Sequence, residues 1–206
     1  MVHVGEHEQH KKKKIYQSSP LRTKKEIKDI RDVLKLQGSD LMTTGRISHR
    51  NLMLFNFGCA TGLRASDIVK LKVKDIKGKE NLAIRETKTG KISRAFINDA
   101  LAKELNAYIK FMHLKSNDYL FPSSKHGYHV STTQVYRFLQ QAGHMLGRDD
   151  ITTHTMRRTF GYQFYKQTHD IAMLQKILNH SSPAVTKRYI GIEQEEINNA
   201  LRNFSI

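Results

Sequence analysis

The periodicity of apolar residues is the feature that most constrains how this chain folds. Apolar side chains recur at helical spacing along most of the sequence, and strand-like patterns occur over residues 81–86 and 92–97. Residues 87–90, Thr-Lys-Thr-Gly, suit a hairpin loop between these two segments. We therefore predict an α+β fold that is mainly α-helical, with a small antiparallel β-sheet.

Capping residues and breaks in the apolar pattern predict where the helices begin and end. Helices are expected from Thr23 to a stop at Gly38, over residues 47–60, directly after Gly62, over 101–112 and over 135–146. Four short helices should follow. The first carries His154 and Arg157, and the second starts near Asp170. The third starts at Ser182-Pro183, and the last bears the apolar stripe Ile197, Leu201 and Phe204.

Length and composition favour one domain with polar ends. The 206 residues suffice for one well-buried domain and are short for two. We divide the chain into a basic, unstructured arm over 1–20, a folded domain over 21–191 and a helical tail over 192–206. No apolar run approaches the ~20 residues of a membrane span, and no secretory signal is evident. Cys59 is the only cysteine, which indicates a reducing cytoplasm.

The charge balance indicates a polyanionic partner. Thirty-five Lys and Arg against nineteen Asp and Glu give a net charge of +16, and nucleic acid is the commonest partner for such an excess. A basic protein kept soluble by its charge, or one that touches an anionic membrane, are the alternatives. In the arm, Lys11, Lys12, Lys13 and Lys14 are candidates for gripping phosphates. The same arm contains His3, His7 and His10, which could hold a metal if it were helical, but an unstructured arm is favoured.

A set of basic side chains and one tyrosine can act on a phosphodiester without metal. Such chemistry must neutralise the phosphate, activate a nucleophile and protonate the leaving oxygen. Arginine suits the first task because its planar fork pairs with two phosphate oxygens. The candidates are Arg64 in Ala-Thr-Gly-Leu-Arg-Ala-Ser-Asp, Lys88 in the hairpin loop, His154 and Arg157 in His-Thr-Met-Arg, His180, and Tyr189.

Each candidate also has a purely structural interpretation. A lone His-x-x-Arg is a weak signal, His180 could cap a helix C-terminus, and Tyr189 could pack its helix. Lys88 could be a solvated turn residue, with Lys91 as its rival. Tyrosine has a pKa of about 10, so Tyr189 as a nucleophile needs nearby positive charge and an acceptor such as His154.

The order Arg…Lys…His-x-x-Arg…His…Tyr closely resembles that of the tyrosine recombinases, the phage integrase family, from about Arg22 to Tyr189. The resemblance implies the fold of their catalytic domain and site-specific cutting and rejoining of double-stranded DNA, in DNA integration and recombination by a phage or mobile element. It implies Tyr189 as the nucleophile, a 3′-phosphotyrosine intermediate, Lys88 as general acid, and no cofactor or metal.

The resemblance also implies an assembly. A tetramer would form on paired DNA sites, with a monomer or dimer in the absence of DNA and no membrane partner. The tail over 192–206 would dock on a neighbouring protomer or fold back on its own core. Asp67 matches an acidic position of the family, whereas Arg158 stands where the family commonly has histidine, and too little chain precedes Thr23 for the usual DNA-clamping domain.

DNA reading and the rival functions stay open at this point. Gln134, Arg137 and Gln141, with Gln140, lie on the predicted helix over 135–146 and could bond base edges or form its solvated face. A type IB topoisomerase would use the same chemistry without exchanging partners. A non-catalytic DNA-binding module would keep only the fold.

Overall fold

The computed structural model describes residues 18–37, 44–202 and 204–205. Over this part of the chain, the structure contains ten helices and one two-stranded antiparallel sheet, so the predicted fold class is confirmed. The elements are α1 (Lys24–Leu36), α2 (Thr44–Thr61), α3 (Ala65–Ile68), α4 (Val73–Ile76), β1 (Asn81–Arg85), β2 (Ile92–Phe96), α5 (Asp99–Phe111), α6 (Thr132–Met145), α7 (Thr153–Thr168), α8 (Ile171–Ile177), α9 (Pro183–Ile190) and α10 (Glu193–Arg202).

Helix α2 runs through the centre of the fold, as its apolar residues on most sides predict. Leu54, Phe55 and Phe57 are fully buried, and the helix packs against α1, α5 and α7. The chain leaves α2 through Gly62, whose positive φ of 66° suits glycine, and a Cβ there would overlap the ring of Phe160. Because of this turn, the residues that follow α2 lie beside α7.

Side-chain caps fix the starts of these helices at or near the predicted positions. The Thr23 side chain accepts from the Glu26 N–H while Glu26 bonds back to the Thr23 N–H, so α1 begins as expected. Asp170 and Ser182 cap α8 and α9 in the same positions that the sequence indicates. Thr152 caps α7, which places His154 in the first turn of that helix.

The hairpin forms where the sequence predicts it, with each strand one residue shorter. Arg85 pairs with Ile92, and beyond this pair the Glu86 N–H donates to the Lys91 carbonyl at 2.8 Å. Gly90 closes the turn with a φ of 69°. The turn therefore holds Lys88 at an exposed tip, while Leu82 on β1 faces the core.

A second, smaller core lies beneath the last helices. Tyr162, Leu174, Leu178, Ile190 and Ile192 form a buried cluster between α7, α8 and α9. Helix α9 approaches α7 closely, because a Cβ on Gly161 would lie 2.7 Å from Cγ2 of Ile190. This cluster fixes the position of α9, and with it the position of Tyr189.

Helix α10, which lies in the predicted tail, contacts other helices of the same chain. In α10, Glu195 pairs with Arg22 at 2.5 Å and Glu196 pairs with Lys187 at 2.8 Å, while Tyr165 donates to Glu196 at 3.0 Å. The predicted stripe stays exposed, with Ile197, Leu201 and Phe204 all open to solvent. Docking of this stripe on a neighbouring protomer stays a prediction.

Some expectations differ from the structure or lie outside its described residues. The periodicity did not predict α4, a single turn whose start is braced by a bridge between Lys72 and Tyr119. The stop at Gly38 and the arm with Lys11–Lys14, His3, His7 and His10 lie outside the described residues. Within the described residues, no helix combines the length and the apolar character that crossing a membrane requires.

Candidate active site

Helix α7 presents His154 and Arg157 on one face, one turn apart. Arg157 is only 3% exposed, and its guanidinium donates to the Gly62 carbonyl at 2.5 Å and to the Leu178 carbonyl at 2.7 Å. These two bonds connect α7 to the turn after α2 and to the end of α8. Burial lowers the pKa of Arg157, as does the neighbouring charge of Arg64, whereas Glu86 acts in the opposite direction. Arg157 is thus both an anchor of the site and a cation within it.

Arg64 occupies the N-cap position of α3, directly after the turn at Gly62. Its Nη1 lies 2.5 Å from Oε1 of Glu86, and the Glu86 side chain is fully buried. The ion pair fixes Arg64 beside the start of the hairpin turn, where the guanidinium retains further donors.

Glu86, to which the sequence motifs assign no role, joins three parts of the site. Burial alone raises the pKa of its carboxyl, but hydrogen bonds from Ser93, Thr89, Arg64 and Asn179 outweigh this effect and hold the pKa at about 2. A signal was present in the sequence: strand alternation puts Glu86 on the same face as Leu82 and Ile84, and a carboxylate on an apolar face needs a cation.

The hairpin turn is attached to α3 through its backbone. The Thr87 N–H donates to Oδ1 of buried Asp67 at 2.9 Å, so Asp67 orients the turn that carries Lys88. The Lys88 side chain is exposed, and its charge helps to lower the pKa of His154. Lys88 is therefore near enough for its charge to act on His154.

Asn179 and His180 connect the end of α8 to the hairpin and to α9. Asn179 has a φ of 52°, and its amide donates to Glu86 Oε1 at 3.2 Å and to the Ile92 carbonyl at 3.1 Å. Nδ1 of His180 lies 3.2 Å from the hydroxyl of Thr186. Burial lowers the pKa of His180 to about 4, assisted by the charges of Arg157 and Arg64, so the ring is neutral at neutral pH.

Tyr189 lies among these side chains, half-buried on α9. Its hydroxyl is 3.5 Å from Nδ1 of His154, and its ring meets that of His180 edge-on with centroids 5.0 Å apart. The guanidinium of Arg158 covers one face of the ring at 4.7 Å. These contacts bring the phenol to the arginines of the same chain.

The expectation that positive charge would lower the pKa of Tyr189 holds only in part. Burial raises the pKa of the phenol, and the charges of Arg157, Arg158 and Arg64 offset this only partly. The phenol is therefore protonated at neutral pH. His154 can accept its proton, since partial desolvation, followed by the charges of Arg158 and Lys88, lowers the imidazole pKa.

The six sequence-predicted residues thus come from five segments of the chain. Known proteins share the fold that positions these segments. The model of the phage integrase family matches residues 22–196. The chain belongs to the phage integrase family. The chain is therefore classed with the tyrosine recombinases, as the sequence predicts. Its enzyme class is that of the site-specific recombinases.

Curated members of the phage integrase family include relatives of different lengths. The chain is 46% identical over 155 residues to the probable integrase/recombinase YoeC of Bacillus subtilis (strain 168), covering 75% of this chain and 84% of YoeC. It is 27% identical over 170 residues to the tyrosine recombinase XerA of Pyrococcus furiosus, covering 81% of this chain and 58% of XerA. The chain thus spans little more than half of that XerA.

Solved structures of tyrosine recombinases share the fold. XerH bound to palindromic difH substrate, in a post-cleavage complex, superposes with a TM-score of 0.69 at 19% identity, over 90% of this chain and 53% of XerH. A lambda integrase dimer bound to a COC′ core site gives a TM-score of 0.65 at 20% identity, over 87% of this chain and 49% of that chain. Both likenesses support the predicted fold.

The predicted DNA-reading residues of this integrase-family chain lie on α6, a helix that carries none of the six. Gln134, Arg137 and Gln141 are exposed on α6. Gln134 is partly used for capping, because its Oε1 accepts from the Ser131 N–H at 3.0 Å. Gln140 donates to the Asp149 and Ile151 carbonyls, which gives it a structural role. Base reading by Gln134, Arg137 and Gln141 stays a prediction.

Proposed function

We propose that this chain cuts and rejoins DNA by transesterification, with Tyr189 as the nucleophile and a 3′-phosphotyrosine as the intermediate. The observation that carries the proposal is the position of the Tyr189 hydroxyl, 3.5 Å from His154 Nδ1 and among the charges of Arg64 and Arg157 of the same chain. Catalytic contacts are often loose before substrate binds and tighten in the complex.

Phosphate binding falls to the two arginines. The Arg157 guanidinium is fixed by two backbone carbonyls and Arg64 by Glu86, so both cations are held in place before DNA arrives. Preorganised donors stabilise the charge that develops on the non-bridging oxygens without reorganisation. The Thr186 hydroxyl can donate either to the Ser182 carbonyl at 3.1 Å or to Nδ1 of His180 at 3.2 Å, and in the second arrangement Nε2–H of His180 can donate to the same phosphate.

Proton transfer divides between His154 and Lys88. As the Tyr189 oxygen attacks phosphorus, its proton passes to the neutral His154 imidazole, while the bond from phosphorus to the 5′ oxygen breaks. Lys88 donates a proton to that departing oxygen, which leaves as a hydroxyl. The phosphotyrosyl bond conserves the energy of the broken linkage, so a 5′ hydroxyl from a partner strand reverses the step.

The substrate is double-stranded DNA, and the net charge of +16 supports this partner. Strand exchange between two duplexes requires four active sites, which a tetramer on paired sites supplies. XerH and lambda integrase, whose catalytic folds resemble this one, are each bound to DNA in their structures. The reaction belongs in the cytoplasm, where the DNA is accessible.

Covalent capture tests the proposal. A pool of randomised duplexes, each with a nick that lets the cleaved 5′ fragment diffuse away, traps the adduct as a denaturant-resistant band. The intact chain should form the band, Tyr189→Phe should bind DNA without forming it, and Tyr136→Phe, at an exposed tyrosine on α6, should retain it. Binding by the intact chain with no adduct would favour a non-catalytic module.

A second arm separates the recombinase from a topoisomerase. Both classes form the adduct, but only a recombinase joins strands from different duplexes. Transfer of a labelled strand to a second duplex supports the proposal, whereas relaxation of supercoiled plasmid with no transfer would replace it with the topoisomerase.

A further inference from the structure

Arg158 lies against the face of the Tyr189 ring. Its guanidinium carbon is 4.7 Å from the ring centroid, and the His180 ring meets the same phenol edge-on, with an interplanar angle of 78°. A cation over an aromatic face within about 6 Å is attracted by the negative charge of the ring face. Tyr189 is therefore held by a guanidinium on its face and by an imidazole at its side.

The charge of Arg158 has few other partners. Among the described residues no carboxylate forms an ion pair with it, and its Nε is buried without a hydrogen bond. A partly buried cation needs compensation, because its hydration is reduced. Burial indeed lowers the pKa of Arg158, and only an ionised Tyr189 would act in the opposite direction. The ring of Tyr189 is thus the principal compensation that the described residues offer.

The other charged and titratable groups that face Tyr189 have different tasks. They come from α7, from the start of α3 and from the end of α8, and comprise Arg64, His154, Arg157 and His180. Arg64 is paired with Glu86, and Arg157 donates to two backbone carbonyls. Unlike these groups, Arg158 lies with its guanidinium over the face of the Tyr189 ring.

We propose that Arg158 is a positioning residue for Tyr189: it holds the ring in the active site of its own chain and favours the phenolate as the proton leaves. This inference rests on the proposed role of Tyr189 as nucleophile. The ring gains electron density as the hydroxyl is deprotonated, so its attraction to the guanidinium increases towards the transition state. An interaction that strengthens in this way lowers the barrier and does not merely tighten the ground state.

The pKa of the Tyr189 phenol, measured without DNA, tests the inference directly. Tyrosine labelled with ¹³C at Cζ reports each phenol by NMR, and Tyr189→Phe assigns the signal among the eight tyrosines. Arg158→Gln should raise the pKa by roughly one unit, the size of a partly desolvated cation–π contact. Arg158→Lys, which keeps a cation, should restore at least half of the shift.

A matched control separates the ring contact from general charge. Arg188 is the neighbour of Tyr189 on α9, is exposed, and lies 3.5 Å from Glu193. Arg188→Gln removes the same charge without touching the ring face, and should move the pKa by less than a third of the Arg158→Gln shift. If thermal unfolding shows that Arg158→Gln does not fold, Arg158→Met, which keeps an aliphatic stem, is used in place of Arg158→Gln.

The rate of adduct formation at its pH optimum gives the second readout. Arg158→Gln should form the adduct more slowly than Arg158→Lys, because the lysine cation still favours the phenolate, and a merely structural change would not be rescued by charge in this way. A phenol pKa equal to that of the intact chain would overturn the role of Arg158, whether or not an adduct forms. If the intact chain forms no adduct, the proposed function is overturned. The NMR shift would still test the contact between Arg158 and the Tyr189 ring.

Discussion

The guanidinium of Arg64 and the carboxylate of Glu86 form an ion pair of 2.5 Å that joins the turn after α2 to the end of β1. Glu86 also accepts from Ser93 at 2.6 Å and from Asn179 at 3.2 Å. The buried carboxylate of Glu86 therefore fixes Arg64, a candidate for phosphate binding, together with the hairpin and Asn179.

Glu86→Gln should weaken both stability and catalysis. The amide keeps the shape but leaves Arg64 without its counter-charge, which should cost about 2–3 kcal/mol in the free energy of unfolding. A shifted Arg64 should slow adduct formation about 10–100-fold. Urea unfolding and a time course of the adduct measure the two effects, and Glu80→Gln, at an exposed position before β1, is the control.

The same carboxylate makes the stability depend on pH. Its pKa is about 2 in the folded chain and 4.5 ordinarily, so its stabilisation is complete above the unfolded value and is lost as the pH falls through the folded one. The difference in unfolding free energy between the intact chain and Glu86→Gln should therefore shrink as the pH falls from about 5 to about 2. A difference that is constant over this window would contradict the assignment.

Arg157 should prove both structural and catalytic. Arg157→Ala leaves the Gly62 and Leu178 carbonyls without their donor and removes a phosphate partner, so adduct formation should fall about 10²–10³-fold. Arg157→Lys should recover part of the melting temperature but little of the rate, since one ammonium does not reproduce the planar fork. Equal recovery of both quantities would argue that charge alone matters.

The acidic limb of the pH–rate profile should reflect His154. Its pKa is lowered from 6.5, so the imidazole remains an acceptor below that pH, and adduct formation should reach half its maximum below about 6.5. In an NMR titration, His180 should take up its proton at about pH 4. A half-maximal rate well above pH 7 would exclude His154 as the acceptor.

Gly161→Ala should displace the nucleophile without altering a catalytic group. The new Cβ would lie 2.7 Å from Cγ2 of Ile190, the neighbour of Tyr189, and overpacking of this kind costs about 1–3 kcal/mol. Adduct formation should slow in parallel, and Ile190→Leu, which removes the Cγ2 methyl, should restore part of it. Gly45→Ala, another glycine within a helix but with nothing within 4 Å of its Cβ, is the control that keeps its rate.

The sequence predicted the elements well because their causes are local. Periodic apolar residues and the caps Thr23, Asp170 and Ser182 define helices within a few residues of their own positions. The local pattern does not predict the turn α4, because a bridge between Lys72 and the distant Tyr119 braces its start.

The interior of the site was less predictable, because its partners are far apart along the chain. Glu86 accepts a hydrogen bond from Asn179, which lies 93 residues away along the chain. Arg158 contacts the Tyr189 ring only because α9 packs beside α7. The raised pKa of the Tyr189 phenol likewise depends on burial, which no spacing in the sequence expresses.

Peptide mapping of the covalent complex tests the central claim most directly. The trapped adduct is digested with protease and nuclease, and mass spectrometry locates the residue that carries the nucleotide. We predict a single modified peptide in which Tyr189 bears a 3′-phosphate linkage. A nucleotide on any other residue, or persistence of the adduct in Tyr189→Phe, would contradict the account.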